Sequence, residues 1–244
     1  MVSSMSQREQ STILLASMKG LSMKHAKTLY AAAALSLAAF GSAAAQTSGV
    51  VVLNEGFNDV GALNGWVQVN NSVPAGNGWF QGNPGVFPAY SGPADSYAGV
   101  SYLSAANGSG NVDNWLITPV LNLSGITDIS FYTRHQAVPG LNLNDQLEVY
   151  WSTGSSIDPA DFTGVVTIVG NTGGYPEDWA LFNTNFALDG PVRFAFHYTG
   201  PADLVNYVGL DSVSVVTAVP EPSAWMMLAM GLGGFGLLRR RQQS

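Results

Sequence analysis

Catalytic chemistry has few residues to draw on in this chain. Between residues 46 and 218 the histidines are His135 and His197 alone, there is no lysine, and Arg134 and Arg193 are the only other basic side chains. The whole chain has no cysteine, so disulfides and thiolate chemistry play no part. Neither histidine has metal-ligand spacing of the H-E-x-x-H kind, and no G-x-S-x-G elbow, phosphate-binding loop or dinucleotide fingerprint occurs. Carboxylates are plentiful, 14 of them between 46 and 218. They provide oxygen ligands for hard cations, and a pair could hydrolyse a glycoside, but the spacing singles out no pair. Asn142, Asn144, Asp145 and Glu148 mimic a calcium loop. The spacing and the missing central glycine depart from the EF-hand, so a solvated hairpin turn is expected there. The expectation is a protein that is not an enzyme.

Binding chemistry is better supplied. Trp66, Trp79, Trp115, Trp151 and Trp179 could stack on sugars, though tryptophan in a sandwich more often packs in the core. Trp79, Phe80, Phe87 and Tyr90 flank a Gly/Pro/Ala-rich stretch and are expected to be the exposed set, available to a glycan. With 14 acids against two arginines the region is strongly anionic, which excludes nucleic acid and anionic lipid as partners.

The elements that position these residues read as strands. Val192, Phe194, Phe196 and Tyr198 share one face while Arg193, Ala195 and His197 share the other; Leu147, Val149 and Trp151 oppose Glu148, Tyr150 and Ser152. Such period-two alternation marks half-buried antiparallel strands. Further runs are Val50–Leu53, Trp66–Val69, Trp79–Gln81, Ser101–Leu103, Trp115–Ile117, Asp128–Arg134, Val165–Val169, Trp179–Phe186 and Tyr207–Val216. About ten short runs punctuated by Gly, Pro and Asn predict an all-β, jelly-roll-type antiparallel β-sandwich. A single helical turn is expected at Asp158–Phe162. In the last run Val208 and Leu210 have one parity and Val213 and Val215 the other, so a β-bulge is expected at Asp211. The stretch 70–100 is expected to be an ordered surface loop with a short strand or two.

The two ends read as addresses. Lys19, Lys24 and Lys27, the apolar run Leu29–Phe40 and Ala43–Ala45 form a signal peptide over 1–45, with Met18 or Met23 as alternative starts. That leaves 46–218 as one domain, large enough for a core of its own. Residues 219–244 hold Pro220, Glu221 and Pro222, an uncharged run Ser223–Leu238, and Arg239, Arg240 and Arg241. The run is slightly short of the ~20 residues typical of a single transmembrane helix, and the arginines would hold its end on the cytoplasmic side.

This order of Pro-Glu-Pro, apolar helix and arginine cluster resembles the PEP-CTERM sorting signal of Gram-negative bacteria. The resemblance implies recognition by an exosortase-type membrane protease-transferase and a cut near Pro220–Pro222. It also implies transient membrane anchoring, followed by delivery to the outer surface or an exopolysaccharide matrix.

A second resemblance spans about 50–217. Asn54-Glu55-Gly56-Phe57, then Asp113-Asn114-Trp115-Leu116-Ile117-Thr118-Pro119, Ile129-Ser130-Phe131-Tyr132 and Gly209-Leu210-Asp211-Ser212-Val213 are similar in kind and order to the choice-of-anchor J, or cleaved-adhesin, domains of surface proteins. The resemblance implies a jelly roll and a structural calcium held by carboxylates on the first and last strands, here Glu55 and Asp211, with Asp113 as a candidate to complete the shell. The expected role is adhesion or interaction, with binding of exopolysaccharide as the alternative and hydrolysis a distant third.

Overall fold

The computed structural model describes residues 49–170 and 174–218; the expected signal peptide and C-terminal helix lie outside the described residues. The described residues form twelve strands: β1 (Gly49–Glu55), β2 (Val67–Asn70), β3 (Phe80–Gln81), β4 (Ala98–Ser101), β5 (Asn111–Ile117), β6 (Leu121–Leu123), β7 (Ile126–His135), β8 (Leu147–Thr153), β9 (Gly164–Val169), β10 (Ala180–Ala187), β11 (Gly190–Pro201) and β12 (Tyr207–Ala218). They form two antiparallel sheets. The first runs β10-β7-β12-β4-β3, with β1 also paired to β12; the second runs β2-β5-β11-β8-β9, with β6 also paired to β11. Among the described residues there is no α-helix, and none therefore long and apolar enough to cross a membrane.

Alternation explains why these sequences pair face to face. On β11, Val192, Phe194, Phe196 and Tyr198 are fully buried between the sheets, where Phe131 meets Phe196 edge-on at 5.3 Å. Leu147 and Val149 of β8 and Val208, Leu210, Val213 and Val215 of β12 complete the layer. The parity switch on β12 is a bulge: Asp211 pairs with Tyr132 but Ser214 with Ser130, three residues against two, and Ser212 takes φ +51°. The bulge lets both apolar pairs face inward and leaves Asp211 on the outer face.

Some elements differ from expectation. The fourth strand lies at 98–101, and Tyr102–Ser104 is a 3₁₀ turn capped by Ser101. The short β6 has too few residues for a period to register. The turn expected at 158–162 is a 3₁₀ turn, Pro159–Asp161, with the Asp158 carboxylate accepting from the Ala160 N–H. The stretch 82–97 is ordered because it carries apolar side chains back over the outer face of the first sheet. Phe87 stacks on Tyr97 at 5.2 Å and meets Trp179 and Tyr207 edge-on. Gly209 beneath them has no room for a side chain: a Cβ would lie 2.8 Å from Trp179 and 2.9 Å from Phe87.

The segment 142–148 is a crossover from β7 in the first sheet to β8 in the second, and the expectation of a solvated hairpin turn is corrected. Asp145 is buried, and its carboxylate accepts from the Tyr198 hydroxyl (2.5 Å) and the Asn206 N–H (2.8 Å) and pairs with His135 Nδ1 at 2.9 Å. A polar side chain in the core persists only with its hydrogen-bonding capacity met.

Candidate functional site

The richest side-chain cluster lies on the outer face of the second sheet. Register puts Trp115 of β5, His197 of β11 and Glu148 of β8 in one row across three strands. Asp113 stands two residues along β5, and Tyr150 two along β8. His197 is held at both ring nitrogens: Nε2 lies 2.9 Å from Asp113 Oδ1 and Nδ1 lies 3.0 Å from Glu148 Oε2. Carboxylate oxygens only accept, so both bonds form when both nitrogens carry protons. The ring stacks on Trp115 at 3.9 Å and 11°, and the indole N–H donates to Asp113 Oδ1 (2.5 Å). Glu148 also accepts from the Tyr150 hydroxyl (2.7 Å) and the Gln146 amide (2.6 Å). These donors, His197 above all, hold Glu148 down at about 2; burial and the neighbouring Glu148 push Tyr150 up to about 12. Toward the β9 edge, the row is continued by Ile168 opposite Glu148 and Val165 opposite Tyr150, both exposed. Phe162, from the turn before β9, packs beside Trp115 at 6.1 Å. The result is a face of fixed carboxylate acceptors alternating with apolar surface.

Asp113 therefore sits on the sheet opposite to Glu55 and Asp211, and the structure does not bring these three together. Glu55 ends β1 beside Val213 of β12. Its Oε1 accepts from the Phe57 N–H at 2.7 Å across a turn in which Phe57 takes φ +52°. Asp211 is fully buried beneath the loop at 90–91: Oδ2 accepts from the Tyr90 and Ser91 N–H groups (2.9 and 3.1 Å), and Oδ1 from the Ser212 hydroxyl (3.1 Å). Burial raises its pKa against the pull of these donors. Between the two strands opens a cavity of about 350 Å³ lined by Asn54, Glu55, Gly56, Asn58, Ser91, Gly92 and Ser212. Among the described residues no group of three or more His, Asp or Glu side chains is arranged to hold a metal ion. The lining carries one carboxylate, that of Glu55, beside the side-chain amides of Asn54 and Asn58 and the hydroxyls of Ser91 and Ser212.

The aromatic set expected to be exposed is not. Trp79 and Phe87 are 4% and 5% exposed, and Phe80 is half-buried against Tyr207. Only Tyr90 stands clear, at 46%, stacked on Tyr132 with ring centres 3.5 Å apart. The two arginines are spent on structure: Arg134 lies over the Phe87 ring and pairs with Asp178 at 3.7 Å. Arg193 donates to the carbonyls of Ser155, Gly65 and Thr118. The Asp113–His197–Glu148 row went unread as a unit because its members are separated by 35 to 84 positions in sequence. Its trace was the i, i+2 pairing of acid with aromatic in Asp113/Trp115 and Glu148/Tyr150.

Residues 218–242 match the PEP-CTERM protein-sorting motif, so the chain carries that motif directly after β12. No curated protein matches the chain in sequence. Among solved structures, the chain is similar to the K3 cleaved adhesin domain of Lys-gingipain from Porphyromonas gingivalis. The identity is 22% with a TM-score of 0.56, over 70% of this chain and 99% of that one. The K1 cleaved adhesin domain of the same protein is similar at 21% identity and a TM-score of 0.54, over 68% and 98%. At these identities the likeness is one of fold: the described residues fold as the cleaved adhesin domains do.

Proposed function

We propose that this is an exported, surface-displayed interaction module, a jelly-roll-type sandwich over 46–218, sorted by an exosortase-type enzyme and non-catalytic in itself. The observation that carries the reading is the sorting motif beginning at residue 218, where the last strand of the sandwich ends. How the ionisable groups are used supports the non-catalytic part. His197 has both nitrogens on carboxylates, and His135 is buried against Asp145. The test is cell fractionation of the full chain against a variant with Pro220→Ala, Glu221→Ala and Pro222→Ala. Surface or matrix delivery of the parent and its loss in the variant is expected; equal delivery of both would overturn the reading.

For the contact face, the outer side of the second sheet is favoured over the aromatic loop. Tyr150, Val165 and Ile168 offer apolar surface for a sugar ring, and Asp113, Glu148 and Gln146 are held ready to bond hydroxyls. Exopolysaccharide is the ligand class this suits. Tryptophan fluorescence, with Trp115 under the site, should respond saturably to the matrix polysaccharide and lose that response in Tyr150→Ala. A response that survives Tyr150→Ala sinks the assignment to this face, and no response at all leaves adhesion to a protein partner. A structural calcium belongs to the cavity at the terminal strands: Glu55 would supply a carboxylate, Asn54 and Asn58 amide oxygens, and Asp211 the positioning of the 90–91 rim. Bound there, the ion would tie the two ends of the sandwich together.

A further inference from the structure

An exposed apolar patch lies where the sorting motif leaves the sandwich. Register sets Val51 of β1 beside Val216 of β12, Gly49 beside Ala218, and Ile126 of β7 beside Ala187 of β10. Val51 and Ile126 are 59% and 63% exposed, and between them Gly49, Ile126, Asp128, Val216, Thr217 and Ala218 line a shallow cleft of about 70 Å³. Val51, Ile126 and Val216 all point away from the core, on the outer face of the first sheet. Neighbouring apolar side chains left in water on a strongly acidic domain, at the point where the sorting motif begins, mark a candidate interaction surface.

Chain length decides what can sit there. Val219 is the sole residue between the end of β12 at Ala218 and Pro220. The Pro220–Pro222 segment is two to four residues beyond the strand, so even fully extended it lies within roughly 7–14 Å of Ala218. A specific protein contact covers about 800 Å² on each partner, a patch far wider than that reach. An enzyme closing on Pro-Glu-Pro at the end of a folded sandwich must therefore meet this rim of the domain. The rim offers it apolar side chains and one acid, Asp128. An anionic lipid surface fits worse, because 14 carboxylates face two arginines that are already engaged.

We propose that Val51, Ile126 and Val216 form a docking surface for the processing enzyme itself, so that the folded sandwich, and not the linear motif alone, is the substrate. This rests on the sorting reading above. It gives the enzyme a check on folding: a chain whose β1, β7 and β12 have not assembled presents the motif without the surface.

The experiment follows conversion of full-length precursor to processed protein, by mass spectrometry, in cells that carry the sorting enzyme. The chain is compared with Val51→Glu/Ile126→Glu, with and without a ten-residue Gly/Ser spacer between Ala218 and Val219, and with the Pro-Glu-Pro alanine variant. Both glutamates go to exposed positions, and unchanged circular dichroism and thermal melting of the precursor verify the fold. The expected result is processing slowed about tenfold or more by the glutamates, as for loss of a central contact, slowed also by the spacer alone, which carries the motif away from the surface, and slowed little further when the glutamates are added to the spaced chain. An unchanged rate means that the motif is cut before or without docking and overturns the proposal. Equal slowing with and without the spacer places the defect outside the docking step and overturns it as well. Processing that persists in the alanine variant would instead remove the sorting reading on which the proposal stands.

Discussion

Two buried or half-buried carboxylates do different work at the scale of single residues. Asp145 holds three partners from three segments, so Asp145→Ala strands His135, Tyr198 and the Asn206 N–H in the core. Breaking a buried pair from one side costs about 3–5 kcal/mol, and at about 2–4 °C per kcal/mol for a domain of this size the melting midpoint should fall by roughly 6–20 °C. A fall of a degree or two in calorimetry would mean that water satisfies those groups. Glu148 acts through pH. Its carboxyl is lowered from 4.5 to about 2 by His197, Tyr150 and Gln146. A carboxyl depressed by folding adds stability above its unfolded value and loses it as pH falls toward the folded one. The midpoint of the parent should therefore drop more steeply between pH 4.5 and 2 than that of Glu148→Gln. Parallel curves would show that the row adds nothing to folding. Asp211 has the opposite sign, since burial raises it, so acidification in its range adds stability rather than removing it.

Elements carry the second kind of constraint, which is room. Trp151 of β8 lies across Gly164 of β9, its register partner, and a Cβ at 164 would penetrate the indole. Gly164→Ala should cost about 1–3 kcal/mol, the range for overpacking, read as a shift in the urea midpoint at unchanged slope; no shift would mean that the edge strand moves freely. This is also the scale at which sequence and structure part company. The alternation on β8 and β11 and the parity switch at Asp211 are legible because each lies within one strand, where a period of two needs no partner. Burial of Phe87 is not, because it depends on the 82–97 loop folding back over Gly209, a contact between distant segments that glycine-rich composition disguises as exposure, and Trp79 packs into the main core beside Phe57 and Val60, which no local pattern announces. The same holds for Asp113. Its place beside His197 follows from the β5–β11 register, which no local pattern encodes, whereas Glu55 and Asp211 lie on neighbouring strands because β1 and β12 pair.

At the largest scale the described residues form an acidic sandwich whose first and last strands end side by side, Gly49 beside Ala218. If calcium seats at Glu55, a concentration of about 100 times Kd adds about 2.7 kcal/mol, and the midpoint of the domain should rise by roughly 5–10 °C. The rise should vanish with chelator and in Glu55→Ala; a midpoint indifferent to calcium would leave Glu55 as the acceptor for Phe57 alone. Another consequence concerns resistance to proteolysis. Between 46 and 218 there is no lysine, and the arginines are Arg134, inside a strand paired on both sides and capped by Phe87, and Arg193, tethered to three backbone carbonyls. A trypsin-like protease cuts after lysine or arginine in extended, accessible chain, and the folded domain offers it no such bond. Digestion must wait for unfolding, so the rate of trypsin cleavage at these two arginines becomes a direct clock for the opening of the sandwich.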